Sequence, residues 1–144
     1  MKFSSRLLLA MLAALAVLAL AACGGSAPAK LADIPSYPDA VQLKPGENPI
    51  ADTLAKNVQQ AGSMGANIDQ TIFTLPQGAS WDQVKQFYTD KLGSDGWQST
   101  NLPIPDNDVF KMANWRRGSQ NLTVAQLTEP VKNDTFLLFS LATN

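Results

Sequence analysis

The chain has 144 residues, a formal net charge of −1, one cysteine and no histidine. This composition excludes a Ser-His-Asp or Cys-His catalytic arrangement, a metal site built from imidazoles or several thiolates, and an internal disulfide. Lysine and arginine form no cluster that would neutralise a row of phosphates, so we expect no nucleic acid partner, and no motif indicates a bound cofactor.

Residues 1–22 have the charge and hydropathy order of a secretory signal peptide. Lys2 and Arg6 come first, and residues 7–22 form an apolar run without an acidic residue. This run is shorter than the roughly 20 residues that a membrane-spanning helix needs. We therefore expect residues 1–22 to be removed; an uncleaved anchor and ordinary cleavage after Ala29 are the alternatives.

The end of this segment reads Leu20-Ala21-Ala22-Cys23-Gly24. It resembles the lipobox of bacterial lipoproteins, in which leucine and two small residues precede an obligatory cysteine. The resemblance implies cleavage before Cys23 and a lipid on its thiol, and two or three acyl chains hold a protein on a membrane where one binds reversibly. We expect an exported protein facing the periplasm or the exterior. Gly24, in place of the aspartate that signals retention, implies the outer membrane if the host is diderm.

Residues 23–32 are predicted to be a flexible, lipidated tether, because most of them are small or polar and show no periodic pattern. The globular part is expected over residues 33–144, a length typical of one domain. It starts with Pro35 and Pro38. Since proline fixes φ and disfavours helix in the residue before it, residues 33–43 are predicted to be irregular or extended.

Two helices are predicted next. Asn48 followed by Pro49 is a favourable N-cap and first-turn pair for a helix over residues 49–61. Ser80 and Gln83 form a capping box at the start of the second helix. The two apolar stripes consist of Ile50, Leu54, Val58 and Ala61, and of Val84, Phe87, Tyr88 and Leu92.

β-Branched and aromatic residues predict strands elsewhere in the domain. Residues 67–75 form the first strand, and Trp97 opens a short second one. Residues 109–116 and 121–127 are strand-like, and the few residues between them are typical of a β-hairpin connection.

The last strand, residues 135–142, has apolar side chains at both parities. Such a strand is central in its sheet, or is covered on its second face by a helix. Two early helices followed by consecutive strands with short turns predict an α+β fold. We expect a single domain with an antiparallel β-sheet and the two α-helices packed on one face.

A second resemblance concerns the first half of the domain. Tyr37-Pro38-Asp39-Ala40 and the pattern Phe87-Tyr88-x-x-x-Leu92-x-x-x-Gly96-Trp97 are similar to segments of small bacterial lipoproteins of unassigned function. Their spacing is what a helix needs to dock on a sheet and turn sharply. The resemblance therefore implies structure and transfers no catalytic residue.

Trp115, Arg116 and Arg117 lie at the predicted hairpin tip. Two guanidinium groups and an indole there are suited to holding a phosphate, a carboxylate or a lipid headgroup. A charged hairpin end that keeps the sheet in solution is the simpler interpretation. The three residues are nevertheless the best surface candidate for ligand binding.

Asp106-Asn107-Asp108 offers oxygen ligands of the kind that calcium prefers. The position of the glycine that an EF-hand loop requires is occupied by Lys111. We therefore favour a turn that begins the next strand, and we predict no metal site.

Three tryptophans and three aspartates complete the candidates. Trp81, Trp97 and Trp115 are interpreted as core residues, with an aromatic-lined cleft as the alternative. Around the second helix, Asp82, Asp90 and Asp95 leave a catalytic carboxylate pair open on spacing alone, although Asp82 also suits the helix dipole.

These features predict a non-enzymatic envelope lipoprotein with a binding or assembly domain. Its expected partners are the membrane, through the lipid on Cys23, and a protein or small ligand of the envelope. The alternatives are a ligand-capturing module of a transporter or sensor, and a carboxylate-dependent hydrolase or lyase acting on envelope material.

Overall fold

A computed structural model of the chain describes residues 27–62, 67–101 and 107–143. Within these ranges it contains two α-helices and one six-stranded antiparallel sheet. The helices are α1 (Pro49–Gly62) and α2 (Trp81–Ser94). The strands are β1 (Val41–Leu43), β2 (Asn67–Thr74), β3 (Gln98–Thr100), β4 (Phe110–Arg117), β5 (Gln120–Thr128) and β6 (Thr135–Thr143). The α+β class and the antiparallel sheet are confirmed.

Some of the sequence predictions lie outside the described residues. These are the signal peptide at residues 1–22, Cys23 with its lipobox, and Asp106. In the described ranges, neither helix combines the length and apolar character that crossing a membrane requires.

Both helices begin at the caps that the sequence predicts. The Asn48 Oδ1 accepts hydrogen bonds from the backbone N–H groups of Ile50 and Ala51, at 2.9 and 3.1 Å. Ser80 Oγ accepts from Gln83 N at 3.3 Å, and Ser80 N donates to Gln83 Oε1 at 3.0 Å, which completes the capping box. Each cap satisfies donors that the first helical turn leaves without partners.

The strands pair in the order β1-β2-β6-β5-β4-β3. β4 and β5 form the predicted hairpin, with Arg117 opposite Gln120 and only Gly118 and Ser119 between them. Gly118 has a φ of +58°, the conformation that the first position of a type II′ turn requires. β4 thus ends at Arg117 and β5 begins at Gln120, each one residue closer to the turn than the sequence predicts.

β6 is the strand buried on both faces. Leu137, Phe139 and Leu141 point to one face, which we call the α2 face, and Phe136 and Leu138 point to the other, the α1 face. All five are at most 2% exposed. The prediction of a central strand is confirmed.

The helices lie on opposite faces of the sheet, which corrects the expectation that both share one face. α2 packs Val84, Tyr88 and Leu92 against the α2 face. α1 packs Ala51 and Leu54 against the α1 face. Because β6 has large apolar side chains on both sides, each side needs a cover, and one helix supplies each.

The N-terminal lead-in covers the rest of the α2 face. After a 3-10 turn at Leu31–Asp33, Ile34 and Tyr37 pack on the core of that face, and the Tyr37 ring meets the Phe87 ring edge to face with centroids 5.3 Å apart. The chain then enters β1, which pairs with β2 at the sheet edge. The predicted irregular or extended stretch therefore contains a short strand.

Candidate functional site

A concave surface lies on the α1 face, as a groove between α1 and the β4–β5 hairpin. Its volume is about 780 Å³, which is within the range typical of ligand sites. The apolar lining comes from both sides, with Ile50, Leu54 and Val58 from the helix and Phe110, Met112 and Leu127 from the strands. We call this surface the α1 groove.

The periodicities of helix and strand build this lining. Ile50, Leu54 and Val58 recur every four residues, so they form one stripe along α1. Phe110 lies directly opposite Leu127 in the antiparallel register, so these two side chains share a face. Ile50 is 36% exposed, which makes it the accessible wall of the groove.

The polar part of the groove is uncharged. Thr53, Asn57 and Thr123 are its polar lining residues, and none of its described lining residues is titratable. The Thr53 hydroxyl already donates to the Pro49 carbonyl at 2.7 Å. The arrangement is therefore suited to binding an uncharged apolar group and offers no acid, base or nucleophile with a tuned pKa.

A polar row crosses the α1 face beside the groove. In register, Asn114 lies opposite Thr123, Thr123 opposite Ser140 and Ser140 opposite Gln70. Asn114 Oδ1 and Gln70 Nε2 are buried and have no hydrogen-bond partner within the described part of the chain. Buried polar atoms of this kind normally have partners, so the row adds an acceptor and a donor near the apolar groove.

A second groove, of about 510 Å³, lies on the other side of α1, next to β1 and β2. Lys44, Asp52 and Lys56 line it, and an Asp52 carboxylate oxygen accepts a hydrogen bond from Gly46 N at 3.1 Å. Its charges have both signs, and the Asp52 carboxylate holds the preceding loop. This contact gives the second groove a structural role at the start of α1.

The end of the predicted tether is attached to the domain. Gln120 Oε1 accepts a hydrogen bond from Ala29 N, and Gln120 Nε2 donates to Ala29 O, both at 2.8 Å. Gln120 is 4% exposed and Ala29 is 8% exposed. The folded domain therefore includes Ala29 and the 3-10 turn that follows it, ahead of the expected boundary at Asp33.

The structure does not bring Trp115, Arg116 and Arg117 together on one surface. Trp115 is 1% exposed in the core of the α2 face. Arg116 points to the opposite side of the strand, is exposed, and donates from Nε to Gly118 O at 3.2 Å. Successive residues of a strand alternate between faces, so a single site made of all three side chains is not formed.

Arg117 joins three parts of the chain. Its two terminal nitrogens donate to Asp95 O and Ala27 O, each at 3.3 Å. Its guanidinium carbon lies 5.1 Å from the centre of the Trp97 ring, within the range of a cation–π contact. Arg117 therefore connects the hairpin, the end of α2 and the N-terminal segment.

All three tryptophans are core residues, as the sequence indicates. Trp81 and Trp97 are 5% and 4% exposed. The aromatic-lined cleft that the sequence leaves open around Trp81, Trp97 or Trp115 therefore has no accessible indole to form it.

The aspartates on α2 and directly after it do not form a buried pair, although Asp82 and Asp90 line one open concavity beside Tyr37 and Phe87. Asp82, Asp90 and Asp95 are all exposed, and Asp90 accepts a hydrogen bond from Gln86 Nε2 at 2.8 Å. Asp82 and Asp90 are separated by about 12 Å along the helix axis at about 1.5 Å per residue. A carboxylate pair that hydrolyses a glycosidic bond has its two groups about 5 to 9.5 Å apart.

The loop before β4 forms the expected turn. Asn107 Oδ1 accepts hydrogen bonds from Val109 N and Phe110 N, at 3.0 and 2.7 Å. This side chain is thus engaged in starting the strand. Across residues 27–62, 67–101 and 107–143, no group of three or more Cys, Asp or Glu side chains is placed to hold a metal ion.

Two features of the site were not predictable from sequence signals. The stripe of α1 is visible in the sequence, but the strands that it faces depend on the packing of the helix across the sheet. Gln120 is a polar residue in a predicted turn, with nothing local that marks its contact with Ala29.

No protein-family model matches this chain, and the searches of curated proteins and of solved structures found no significant match either.

Proposed function

We propose that this protein is an exported envelope lipoprotein, anchored through a lipid on Cys23, whose domain binds an envelope partner or ligand non-enzymatically. The α1 groove is the proposed binding surface, and it accepts an uncharged apolar group. The observation that carries the proposal is the lining of this groove, which is mostly apolar, has only uncharged polar residues besides, and is partly open to solvent.

The proposal of an anchor is supported by the lipobox at residues 20–24. The covalent chain joins the lipid to the domain, and the two hydrogen bonds of Gln120 with Ala29 and the Arg117 contact with Ala27 O limit how far the domain can move from it.

The anchor is tested by metabolic labelling of cells with a fatty acid. We expect label on the wild-type protein and none on Cys23→Ser, because Cys23 provides the chain's single thiol. Cys23→Ala serves as a second variant without a thiol. Label retained in either variant would refute the lipid assignment at Cys23.

Groove binding is tested with the uncharged apolar dye N-phenyl-1-naphthylamine, whose fluorescence rises in apolar surroundings. We expect the wild-type protein to bind the dye and Ile50→Glu to bind it at least about fivefold more weakly, since a carboxylate in the apolar wall loses solvation when the dye covers it. Ile50 is 36% exposed, so the domain tolerates the change.

Val131→Glu is the matched control, because Val131 is 84% exposed and lies outside the groove. Its dye binding should equal that of the wild type. Equal weakening by both variants, or no dye binding by the wild type, would contradict an apolar binding site in the groove.

A ligand-capturing module of a transporter or sensor is the second candidate. The groove volume of about 780 Å³ is the observation behind it, since this lies within the range of small-molecule sites. Mass spectrometry of material extracted from the purified protein distinguishes the two. A small molecule recovered from the wild type and not from Ile50→Glu supports the ligand-capturing module. A protein that co-purifies with the wild type and not with Ile50→Glu supports the binding of an envelope protein.

A further inference from the structure

The segment that leads from the domain toward Cys23 departs from one definite end of the sheet. Gln120, which holds Ala29 by two hydrogen bonds, is the first residue of β5. Arg117, which binds Ala27 O, is the last residue of β4. The exit point therefore lies beside the Gly118-Ser119 turn.

The end of α2 lies at the same place. Arg117 Nη1 donates to Asp95 O, the residue that follows the last turn of α2. We call this region, made of residues 116–120 with Ala27 and Asp95, the hairpin end. The opposite end of the sheet contains the turn after β5, where Val131 is 84% exposed.

The chain between Cys23 and the hairpin end is short. Ala27 is the fourth residue after Cys23, and an extended chain spans at most about 3.6 Å per residue. The Cα atom of Cys23 therefore lies within about 14 Å of that of Ala27 by this limit. β5 has nine residues, so the opposite end of the sheet is about 30 Å further away, at about 3.4 Å per residue.

The charge of the hairpin suits this placement. Arg116 and Arg117 are the only charged residues between positions 112 and 128, and both are at the hairpin end. Arg117 is engaged with backbone carbonyls, whereas Arg116 is exposed. Cations at a membrane surface are attracted by anionic headgroups. At the end of α2, the negative charge of Asp95 offsets the positive charge of Lys91.

We propose that the hairpin end is the membrane-facing end of the domain, with Arg116 at the level of the lipid headgroups. This inference rests on the proposed lipid at Cys23. It places the strands upright on the membrane, with the α1 groove on a side of the domain, open to partners that move along the membrane. The polar row at Thr123 is then nearer to the lipid than Phe110 and Leu127.

The test measures energy transfer from two positions to the membrane. Ser119→Cys and Val131→Cys each add one free thiol for a fluorescent donor, because the single natural cysteine is occupied by lipid. The full chain is produced in bacteria, purified from membranes and placed in phosphatidylcholine–phosphatidylglycerol vesicles that contain an acceptor-labelled lipid. We expect at least about twofold greater transfer from position 119 than from position 131. Equal transfer, or greater transfer from position 131, overturns the proposal.

One substitution with its control, and one insertion, test whether the attachment at Ala29 sets this orientation. Gln120→Ala removes both hydrogen bonds to Ala29 and should reduce the difference in transfer between the two positions by at least half. Gln77→Ala, at an exposed glutamine in the turn after β2 at the opposite end of the sheet, is the matched control and should keep the difference. Insertion of about ten Gly and Ser residues between Ser26 and Ala27 leaves the domain intact and should lower the transfer from position 119.

Transfer from position 119 that is unchanged by the insertion would show that the tether does not hold the hairpin end near the membrane, which overturns the proposal. Fatty-acid labelling of the same preparations separates this result from failure of the anchor. Labelled protein with equal transfer from both positions overturns the orientation alone. Protein without label overturns both the anchor and the orientation that rests on it.

Discussion

At the scale of single residues, Tyr88 is a titratable group whose pKa folding changes strongly. Its side chain is 0% exposed, and its ring meets those of Phe87 and Phe139 edge to face, with centroids 5.0 and 5.2 Å apart. Its hydroxyl is buried without a well-aligned partner in the described part of the chain. Burial raises the pKa of Tyr88, and the nearby Tyr37 backbone offsets this only in part.

The raised pKa predicts a loss of stability at alkaline pH. Below the ordinary value of 10.0 both the folded and the unfolded chain keep the Tyr88 proton, so its contribution is constant. Above about pH 10 the unfolded chain releases the proton while the folded chain retains it, and the free energy of unfolding falls. Urea titrations across this range should show a smaller decline for Tyr88→Phe than for the wild type.

Tyr37→Phe is the matched control for Tyr88, because it removes the chain's other tyrosine and leaves the buried hydroxyl in place. It should retain the alkaline decline of the wild type. Identical pH profiles for the wild type and Tyr88→Phe would show that Tyr88 is not protected from ionisation by the fold.

At the scale of elements, features determined by neighbouring residues were predictable. The caps of both helices depend on contacts within three residues, and Asn48, Ser80 and Gln83 make those contacts as expected. The hairpin and the central strand also follow from local patterns. β1 was not predictable as a strand, since its three residues are extended by pairing with β2 rather than by their own preference.

Features determined by contacts between distant residues were not predictable. Both helices show one apolar stripe, and nothing local in either stripe says which face of the sheet it covers. The contact of Gln120 with Ala29 spans 91 positions of sequence. The candidate site Trp115-Arg116-Arg117 is contiguous in sequence, but strand alternation directs Arg116 away from the other two side chains.

The capping box of α2 provides a prediction at this scale. Ser80→Ala removes the acceptor for Gln83 N and should lower the free energy of unfolding by about 1 kcal/mol, the usual loss for an N-cap serine. Urea unfolding monitored by circular dichroism measures this. Ser119→Ala, in the exposed hairpin turn, is the control and should stay within about 0.5 kcal/mol of the wild type. A Ser80→Ala protein as stable as this control would contradict the role of the cap.

At the scale of the whole molecule, the sheet separates two cores. The core of the α2 face contains the three tryptophans and Tyr88. The core of the α1 face is smaller and contains Ala51, Leu54 and Phe136. β6 contributes large side chains to both cores. Each helix therefore packs on one face of β6, and the sheet keeps the two cores apart.

Neighbouring leucines of β6 test this arrangement. Leu137 belongs to the core of the α2 face and Leu138 to that of the α1 face, and both are 0% exposed. Leu137→Ala and Leu138→Ala should each lower the free energy of unfolding by about 2 to 5 kcal/mol, as expected for cavities in packed cores. Denaturant unfolding measures both. A loss confined to one variant would indicate that only one face of the sheet is covered.

The two outermost strands, β1 and β3, have three residues each. An exposed strand edge is a template for pairing with another copy, and short edges limit the number of backbone hydrogen bonds that such pairing forms. Proteins held on one membrane by lipid are concentrated in two dimensions and meet often. With the proposed lipid on Cys23, the short edges would favour a dispersed population of domains, each with its groove open, over stacked sheets.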